Sequence, residues 1–221
     1  MITVDIITLF PEYFSGVLQA SILGKAVAQE KLMIRVHDLR PFGIGKHQLT
    51  DDRPYGGGAG MVMLVEPIDA ALASLGYKKG TTGEKIVLTS AQGGVFTQQT
   101  ARDWSDLQRL CILCGHYEGV DERVTHHLID EEIRIGDYVL TGGEPAAAVM
   151  LDAVARLQPS VLGNETSLLG ESHDEPGKLG YPQYSRPAEY KGWEVPPILL
   201  TGDHPQIAQY RESQRKHLQE K

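Results

Sequence analysis

The segment Ile135-Gly136-Asp137-Tyr138-Val139-Leu140-Thr141-Gly142-Gly143-Glu144-Pro145 has the pattern of a strand end, two glycines and a helix start. Apolar residues alternate with small or polar ones over 135–140, as they do at the end of a strand. The two glycines allow backbone conformations that a side chain would forbid. The Glu-Pro pair suits the first turn of a helix, which we expect over 146–157. The segment therefore predicts a strand-to-helix switch, where α/β proteins bind flat polar ligands.

Two further predicted strands end in similar loops. Ser90-Ala91-Gln92-Gly93-Gly94 follows a strand at 85–89, and Cys114-Gly115-His116-Tyr117-Glu118-Gly119 follows a strand at 110–113. Any one of these loops is also typical of an ordinary tight turn. Right-handed crossovers, however, place the ends of successive parallel strands on one edge of a sheet. The sequence thus predicts one crevice formed by three glycine-bearing loops.

The rest of the chain alternates between strand and helix patterns. Strands are predicted at 2–9 and 33–39, and helices at 11–28, 66–75, 97–107, 121–129 and 206–219. This alternation predicts an α/β fold with a mainly parallel sheet and helices on both faces. We expect an α/β domain over 1–158, a flexible linker or lid over 159–180, and a small helical C-terminal domain over 181–221.

Size and composition are those of a globular protein with a full core. The chain has 221 residues, of which 41% are hydrophobic, and a formal net charge of −8. No segment approaches the roughly 18 consecutive apolar residues of a membrane span. The N-terminus lacks the basic start of a signal peptide, so we expect a cytoplasmic protein. An acidic chain is not an obvious nucleic-acid binder, but basic residues cluster at 40–53 and 211–217 as candidates for phosphate contacts.

Several generic sites are excluded by their context. Cys111 and Cys114 lie three residues apart in a predicted strand and point to opposite faces, which predicts core thiols and neither a disulfide nor a metal site. The glycines at 56–60 follow no predicted strand, which excludes a Rossmann nucleotide loop. Gly24-Lys25 lacks the upstream glycine of a P-loop, and Ser90 lacks the G-x-S-x-G context of a nucleophile elbow.

Longer motifs occur in a fixed order along nearly the whole chain. They are Ile7-Thr8-Leu9-Phe10-Pro11-Glu12, Asp51-Asp52-Arg53-Pro54-Tyr55-Gly56-Gly57-Gly58-Ala59-Gly60-Met61, the loops at 114–119 and 135–144, Tyr181-Pro182-Gln183-Tyr184-Ser185-Arg186-Pro187, and 194–202. Together they resemble the bacterial tRNA (guanine-N1-)-methyltransferases of the TrmD type, in the SPOUT superfamily. The resemblance implies methyl transfer from S-adenosylmethionine to N1 of the guanosine at position 37 of tRNA, next to the anticodon.

The resemblance also implies an architecture. Members of the family have an α/β domain with a C-terminal trefoil knot, which binds S-adenosylmethionine mainly through backbone groups of the three loops. They act as homodimers, with the tRNA substrate crossing both subunits and each active site shared between chains. Relatives continue for some tens of residues beyond the position of Lys221, so we expect a shortened C-terminal domain.

The resemblance assigns residues to the cofactor and to the substrate. The implied cofactor-binding residues are Ser90, Ala91, Gln92, Gly93, Gly115, Tyr117, Glu118, Gly119, Ile135, Gly136, Tyr138, Leu140, Gly142, Gly143 and Pro145. The implied substrate-binding residues are His116, Arg53 and Arg186. Glu118 corresponds to an acid near the methyl donor, where a carboxylate helps to hold the sulfonium cation.

The implied catalytic residues are Glu171 and Arg156. In the family, the aspartate of a D-S-F-type tripeptide in the linker accepts the N1 proton, and the corresponding tripeptide here is Glu171-Ser172-His173. Glu171 is therefore the predicted base, with Asp174 as the alternative. Arg156 corresponds to the arginine that faces the guanine. No metal ligands are predicted, and dependence on a divalent metal stays open.

Two other functions remain open on the sequence alone. One is a different knotted RNA methyltransferase, such as a ribose 2′-O enzyme, which the loop at 51–61 disfavours. The other is an RNA- or cofactor-binding relative with weak catalysis, because Glu171 departs from the aspartate of the family pattern.

Overall fold

The computed structural model of the protein describes residues 1–163, 168 and 170–218. The chain forms two compact units, Met1–Gly163 and Asn164–Lys221. Strands of the first unit are Thr3–Thr8 (β1), Met33–Asp38 (β2), Asp51–Asp52 (β3), Val62–Met63 (β4), Glu84–Val95 (β5), Arg109–Cys114 (β6) and Glu131–Arg134 (β7). Its helices are Phe14–Val17 (α1), Ser21–Ala28 (α2), Val65–Ser74 (α3), Gln98–Ser105 (α4), Glu122–His127 (α5) and Glu144–Ala155 (α6).

A five-stranded sheet in the order β2-β1-β6-β5-β7 is the centre of the first unit, and all its pairs are parallel. The predicted α/β fold with a mainly parallel sheet is confirmed. Strands β6 and β7 both pair with β5, with Thr89 opposite Cys114 on one side and Ile133 on the other. The carboxyl ends of these three strands therefore meet at one edge of the sheet.

Both faces of the sheet are covered by helices. Side chains from α2, α4 and α6 form one core cluster, and side chains from α3 and α5 form the other. Cys114 belongs to the first cluster and Cys111 to the second, and both thiols are free and buried. The prediction of two core thiols on opposite faces is confirmed. Burial raises the pKa of both thiols, which keeps them protonated.

The single helix predicted over 11–28 is wrong. The chain forms a 3₁₀ turn at Pro11–Tyr13, then α1, and α2 begins only at Ser21 in a left-handed conformation, with φ at 50°. A Cβ atom on Gly24 would lie 2.4 Å from the carbonyl oxygen of Gln19. The turn thus packs directly against α2, and only glycine permits this close approach.

Two predicted strand ends are also wrong. Strand β5 does not stop at Thr89 but continues to Val95, and its register against β7 shifts between Thr89 and Gly94. Strand β7 ends at Arg134, so the segment 135–140 lies beyond the strand and not within it. The segment before the glycine cluster, in which no strand was expected, contains the two-residue strand β3, paired antiparallel with β4.

The second unit contains a small hairpin and one helix. The hairpin pairs Glu189–Tyr190 (β8) with Trp193–Glu194 (β9), and the helix is His204–Ser213 (α7). The helix predicted over 206–219 therefore starts two residues earlier, at His204, and ends at Ser213. Residue 219 lies outside the described residues. Within the described ranges, no helix combines the length and apolar character needed to cross a membrane.

Candidate functional site

A cavity of 260 Å³ lies at the carboxyl ends of β5, β6 and β7. Its lining comes from residues 88–92, 115–120, 132–136, 138–143 and 146, with contributions from α5. The three loops singled out in the sequence therefore meet in one place. The volume lies near the lower end of the range of about 300–1,000 Å³ that small-molecule pockets occupy.

The floor of the cavity is built by close backbone contacts that only glycine allows. The Gly143 N–H donates to the Gly115 carbonyl oxygen at 2.7 Å, which joins the loop after β7 to the loop after β6. A Cβ atom on Gly143 would lie 1.8 Å from Thr89 Oγ1 and 2.8 Å from the Gly115 nitrogen. The Thr89 hydroxyl in turn accepts from the Gly115 N–H at 3.0 Å. These contacts fix the three loops relative to one another.

A buried carboxylate lies directly behind this floor. Glu144, at the start of α6, is 4% exposed and accepts a hydrogen bond from Thr8 Oγ1 at 2.7 Å. Its other oxygen lies 3.8 Å from His116 Nδ1, too far for a hydrogen bond. Among the described side chains, His116 Nδ1 is the buried polar atom that has no hydrogen-bond partner. A small movement of the ring toward Glu144 would therefore give this buried atom a hydrogen-bond partner.

The glycine loop at 51–61 contacts the cavity through the loop after β6. The Glu118 N–H donates to the Met61 carbonyl oxygen, and the Met63 N–H donates to the Gly119 carbonyl oxygen, both at 3.0 Å. Gly60 has φ at 82°, and a Cβ atom there would lie 2.3 Å from Glu118 Cγ. The loop therefore holds the Glu118 side chain beside the cavity.

Tyr117 shares this region in a left-handed conformation, with φ at 61°. Such a conformation is uncommon for a bulky residue and concentrates at functional sites. Burial raises the pKa of its phenol, and the nearby Asp51 carboxylate raises it further. Tyr117 therefore stays a neutral hydrogen-bonding group over the physiological pH range.

All of the implied cofactor-binding residues except Gly93 and Pro145 line the cavity, and so does His116. Gly93 instead packs against β7, where a Cβ atom would lie 2.2 Å from the Glu132 carbonyl carbon. Pro145 lies in the first turn of α6. Neither residue lines the cavity.

The other predicted residues lie elsewhere. Arg53 is exposed in the glycine loop, and Arg156 is the residue that follows the last turn of α6. Glu171, Asp174 and Arg186 belong to the second unit. Within the part of the chain that the structure describes, no group of three or more His, Cys, Asp and Glu side chains is arranged to hold a metal ion.

Thr8, Thr89 and the side chain of Glu144 were missed as parts of the site. Thr8 and Glu144 are 136 residues apart in the chain, and no local pattern connects them. The Glu-Pro pair indicated only a helix start. One feature of the sequence could have indicated the two threonines. Each is a polar residue at the end of an apolar run, Thr8 in β1 and Thr89 before the first glycine loop.

A parallel sheet with a glycine-lined cavity at its strand ends defines an α/β protein, a class in which that edge is the usual place for a small polar ligand. The family model described as tRNA (Guanine-1)-methyltransferase TrmD matches residues 2–221. The chain belongs to this family, which confirms the resemblance found in the sequence.

Curated relatives agree with this family. A protein named tRNA (guanine-N(1)-)-methyltransferase from Brevibacillus brevis is 49% identical over 211 residues, which are 94% of this chain and 84% of the relative. A protein of the same name from Chloroflexus aggregans is 50% identical, over 96% of this chain and 82% of the relative. One from Halalkalibacterium halodurans is 47% identical, over 96% and 85% of the two chains.

Proposed function

We propose that this protein transfers a methyl group from S-adenosylmethionine to N1 of the guanosine at position 37 of tRNA. The observation that carries the proposal is the cavity at the ends of β5, β6 and β7, lined by the glycine loops of a TrmD family member. Relatives that share about half of its residues are named tRNA (guanine-N(1)-)-methyltransferase. A tRNA substrate supports a cytoplasmic location.

The lining of the cavity suits S-adenosylmethionine in polarity and charge. Apolar side chains such as Ile133, Ile135 and Leu140 offer a surface for the adenine ring, and the bare glycine backbone offers hydrogen bonds. The carboxylates of Glu118 and Glu132 line the same cavity and suit a ligand that carries a sulfonium and an ammonium group.

Methylation at N1 requires loss of the N1 proton and stabilisation of the charge that develops on O6. When bound, S-adenosylmethionine supplies an electrophilic methyl group. Glu171 accepts the proton, a role in which a positioned base contributes about 10²–10⁴ in rate. Arg156 faces O6 with a fixed positive charge. Glu118 holds the positive end of the methyl donor. The roles of Glu171 and Arg156 rest on the family pattern.

The contacts of Asp174 favour Glu171 as the base. The Asp174 carboxylate forms an ion pair with the guanidinium of Arg215. The Arg215 hydrogen bond holds the pKa of the Asp174 carboxyl below its ordinary value. A carboxylate that is already paired and less basic is a poor proton acceptor.

The position of Arg156 supports active sites shared in a homodimer. Arg156 follows the last turn of α6, whose first turn contacts the cavity. A helix of 12 residues is about 18 Å long, which exceeds the reach of an arginine side chain. A guanine at one cavity would therefore meet the Arg156 of the partner chain. The homodimer and the trefoil knot are parts of the same proposal and rest on family membership.

The test is methyl transfer to a tRNA transcript with guanosine at position 37, followed by mapping of the methylated atom. We expect N1-methylguanosine, no product when the guanosine is replaced, and a loss of about 10²–10⁴ in rate for Glu171→Gln with S-adenosylmethionine binding intact. Methylation of a ribose 2′-oxygen would identify a different class of RNA methyltransferase. Cofactor binding without turnover by the wild-type protein would favour a binding protein.

A further inference from the structure

The guanidinium of Arg215 closes a loop that contains both candidate bases. Arg215 lies two residues after α7, and only 6% of its side chain is exposed. Its Nε–H donates to the Leu179 carbonyl oxygen at 3.1 Å, and an Nη2–H donates to the Glu171 carbonyl oxygen at 3.2 Å. The same nitrogen pairs with the Asp174 carboxylate. One side chain thus holds both ends of the loop 171–179 and a carboxylate within it.

The backbone of the loop is itself folded. His173 and Lys178 are joined by a hydrogen bond of 2.6 Å between the His173 N–H and the Lys178 carbonyl oxygen. The far side of the loop pairs with the end of the chain, because the Leu179 N–H donates to the Lys216 carbonyl oxygen at 2.7 Å. Lys178 adds ion pairs with Glu175 at 2.9 Å and with Glu212 at 2.8 Å. A segment that the sequence suggests is structureless therefore has a defined conformation.

An arginine is suited to this role because its planar guanidinium presents five N–H groups in a fixed geometry. A lysine could pair with Asp174, but its single ammonium could not bridge the two carbonyl oxygens with the same geometry. The contacts also differ in kind between the two acids. Arg215 binds Asp174 through the side chain and Glu171 through the backbone carbonyl oxygen. The arrangement fixes the Cα position of Glu171 and uses Asp174 as a counter-ion.

We propose that Arg215 is a positioning residue, which holds the loop 171–179 in the conformation from which Glu171 accepts the N1 proton. Asp174 is the counter-ion of Arg215 and not the base. This proposal rests on the proposed methyl transfer to guanine N1. Arg215 acts through Glu171, so its removal alters the rate of chemistry and leaves binding of the methyl donor unchanged.

The experiment compares single-turnover methylation of saturating tRNA by the wild type, Arg215→Ala, Arg215→Lys and Lys191→Ala. A misplacement of about 1 Å at a catalytic group costs about 10²-fold, which is the loss expected for Arg215→Ala. We expect a smaller loss for Arg215→Lys. Lys191→Ala is the control: it removes one positive charge from the hairpin of the second unit, where Lys191 lies over the Tyr190 ring at 5.2 Å and outside the loop. Its single-turnover rate should stay at the wild-type value.

A double-mutant cycle with Asp174→Asn separates positioning from a direct role. If Arg215 and Asp174 act as one unit, the double variant is no slower than Arg215→Ala alone. Hydrogen exchange of the amides at 173 and 179 should also become faster in Arg215→Ala, a readout that does not depend on methyl transfer. If the wild type is inactive but Arg215→Ala still exchanges these amides faster than the wild type, the proposed function and the catalytic role of Arg215 are overturned, while its structural role in the loop stands.

Three results would overturn the proposal for Arg215. The first is a loss confined to the KM for tRNA with a weaker salt dependence, which is the behaviour of a phosphate contact. The second is a larger loss for Asp174→Asn than for Arg215→Ala, which would make Asp174 the base. The third is a wild-type rate in Arg215→Ala.

Discussion

At the scale of single residues, Gly143 has no room for a side chain. A Cβ atom there would overlap Thr89 Oγ1 at 1.8 Å, in contact with the backbone of the neighbouring loop. The nearest groups are a buried hydroxyl and main-chain atoms, none of which can move aside as the end of a flexible side chain can. The glycine is therefore required by the packing of three loops and not by its φ angle, which is −81°.

Gly143→Ala should lower the free energy of unfolding by about 1–3 kcal/mol, as overpacking of a tight interior does. It should also abolish S-adenosylmethionine binding, because the three loops must separate to accommodate the methyl group. Urea denaturation and isothermal titration calorimetry measure the two effects. Gly16→Ala is the control: no atom lies within 4 Å of the added Cβ atom, so stability and binding should be unchanged or slightly improved. Normal binding by Gly143→Ala would contradict the assigned cavity.

At the scale of elements, the middle of β1 contains a buried charge. Asp5 is fully buried and accepts two hydrogen bonds of 2.7 Å from Arg35, with Tyr77 Oη at 2.9 Å and His37 Nε2 at 2.6 Å. Burial raises the pKa of the Asp5 carboxyl, but these hydrogen bonds outweigh burial and leave it below its ordinary value. The pair of Asp5 with Arg35 crosses from β1 to β2 in register. This network joins the sheet edge to its centre.

The stability that Asp5 contributes should depend on pH with a defined sign. Its folded pKa is lowered, so the contribution is fully present above the unfolded value of about 3.9 and is lost as pH falls through the folded pKa. Asp5→Asn should be less stable than the wild type by about 1.5–3 kcal/mol at pH 7, the range for hydrogen bonds to a charged group. The difference should stay constant from pH 7 to about pH 5 and shrink below about pH 4.

Urea denaturation of the wild type and Asp5→Asn at a series of pH values measures this difference. The same comparison in a His37→Gln background removes the imidazole whose Nε2 lies 2.6 Å from Asp5. Two further charged groups lie near this network. Arg109 Nη2 is 3.8 Å from Asp5, and Glu84 pairs with Arg109. If the stability difference between the wild type and Asp5→Asn grows below pH 4, Asp5 is not the ionised partner of Arg35.

Helices and strands could be predicted from the sequence where burial follows a clear period. The fully buried run of β6 and the apolar face of α6 are examples, and both were predicted within a few residues. The segment 135–140 alternates in the same way, but its apolar residues line a cavity instead of a sheet face, and the strand ends at Arg134. The periodicity of apolar residues indicates which side chains are shielded from solvent, but it does not indicate whether a sheet face, a helix or a cavity shields them.

At the scale of the whole molecule, the sequence predicted that three glycine loops meet, because parallel topology determines which strand ends share an edge. It could not predict the contacts behind them. Thr8 meets Glu144 across most of the chain, and Arg215 closes a loop more than thirty residues before it. Such contacts depend on how distant elements pack, which no local pattern encodes. The residues that line the site were therefore predictable, and those that position them were not.

The position of Arg156 leads to a prediction for the assembled protein. If each site combines the cavity of one chain with Arg156 of the other, then two inactive variants should restore activity when mixed. The first variant is Arg156→Ala, which lacks the guanine contact. The second is a cavity variant that lacks cofactor binding, either Gly143→Ala or Gly136→Ala. Of these two, the one whose circular dichroism spectrum matches that of the wild type is used. A mixed dimer then has one intact site and one doubly defective site.

Equal amounts of the two variants, exchanged to equilibrium, should give about a quarter of the wild-type activity, because half of the dimers are mixed and one of their two sites is intact. Native mass spectrometry measures the fraction of mixed dimers, and methyl transfer to the tRNA transcript measures the activity. Each variant alone remains inactive. If mixed dimers form and the mixture stays inactive, Arg156 acts within its own chain or not at all. Because of the length of α6, Arg156 cannot reach the cavity of its own chain without a rearrangement of the first unit. An inactive mixture would therefore show that Arg156 has no role in the reaction.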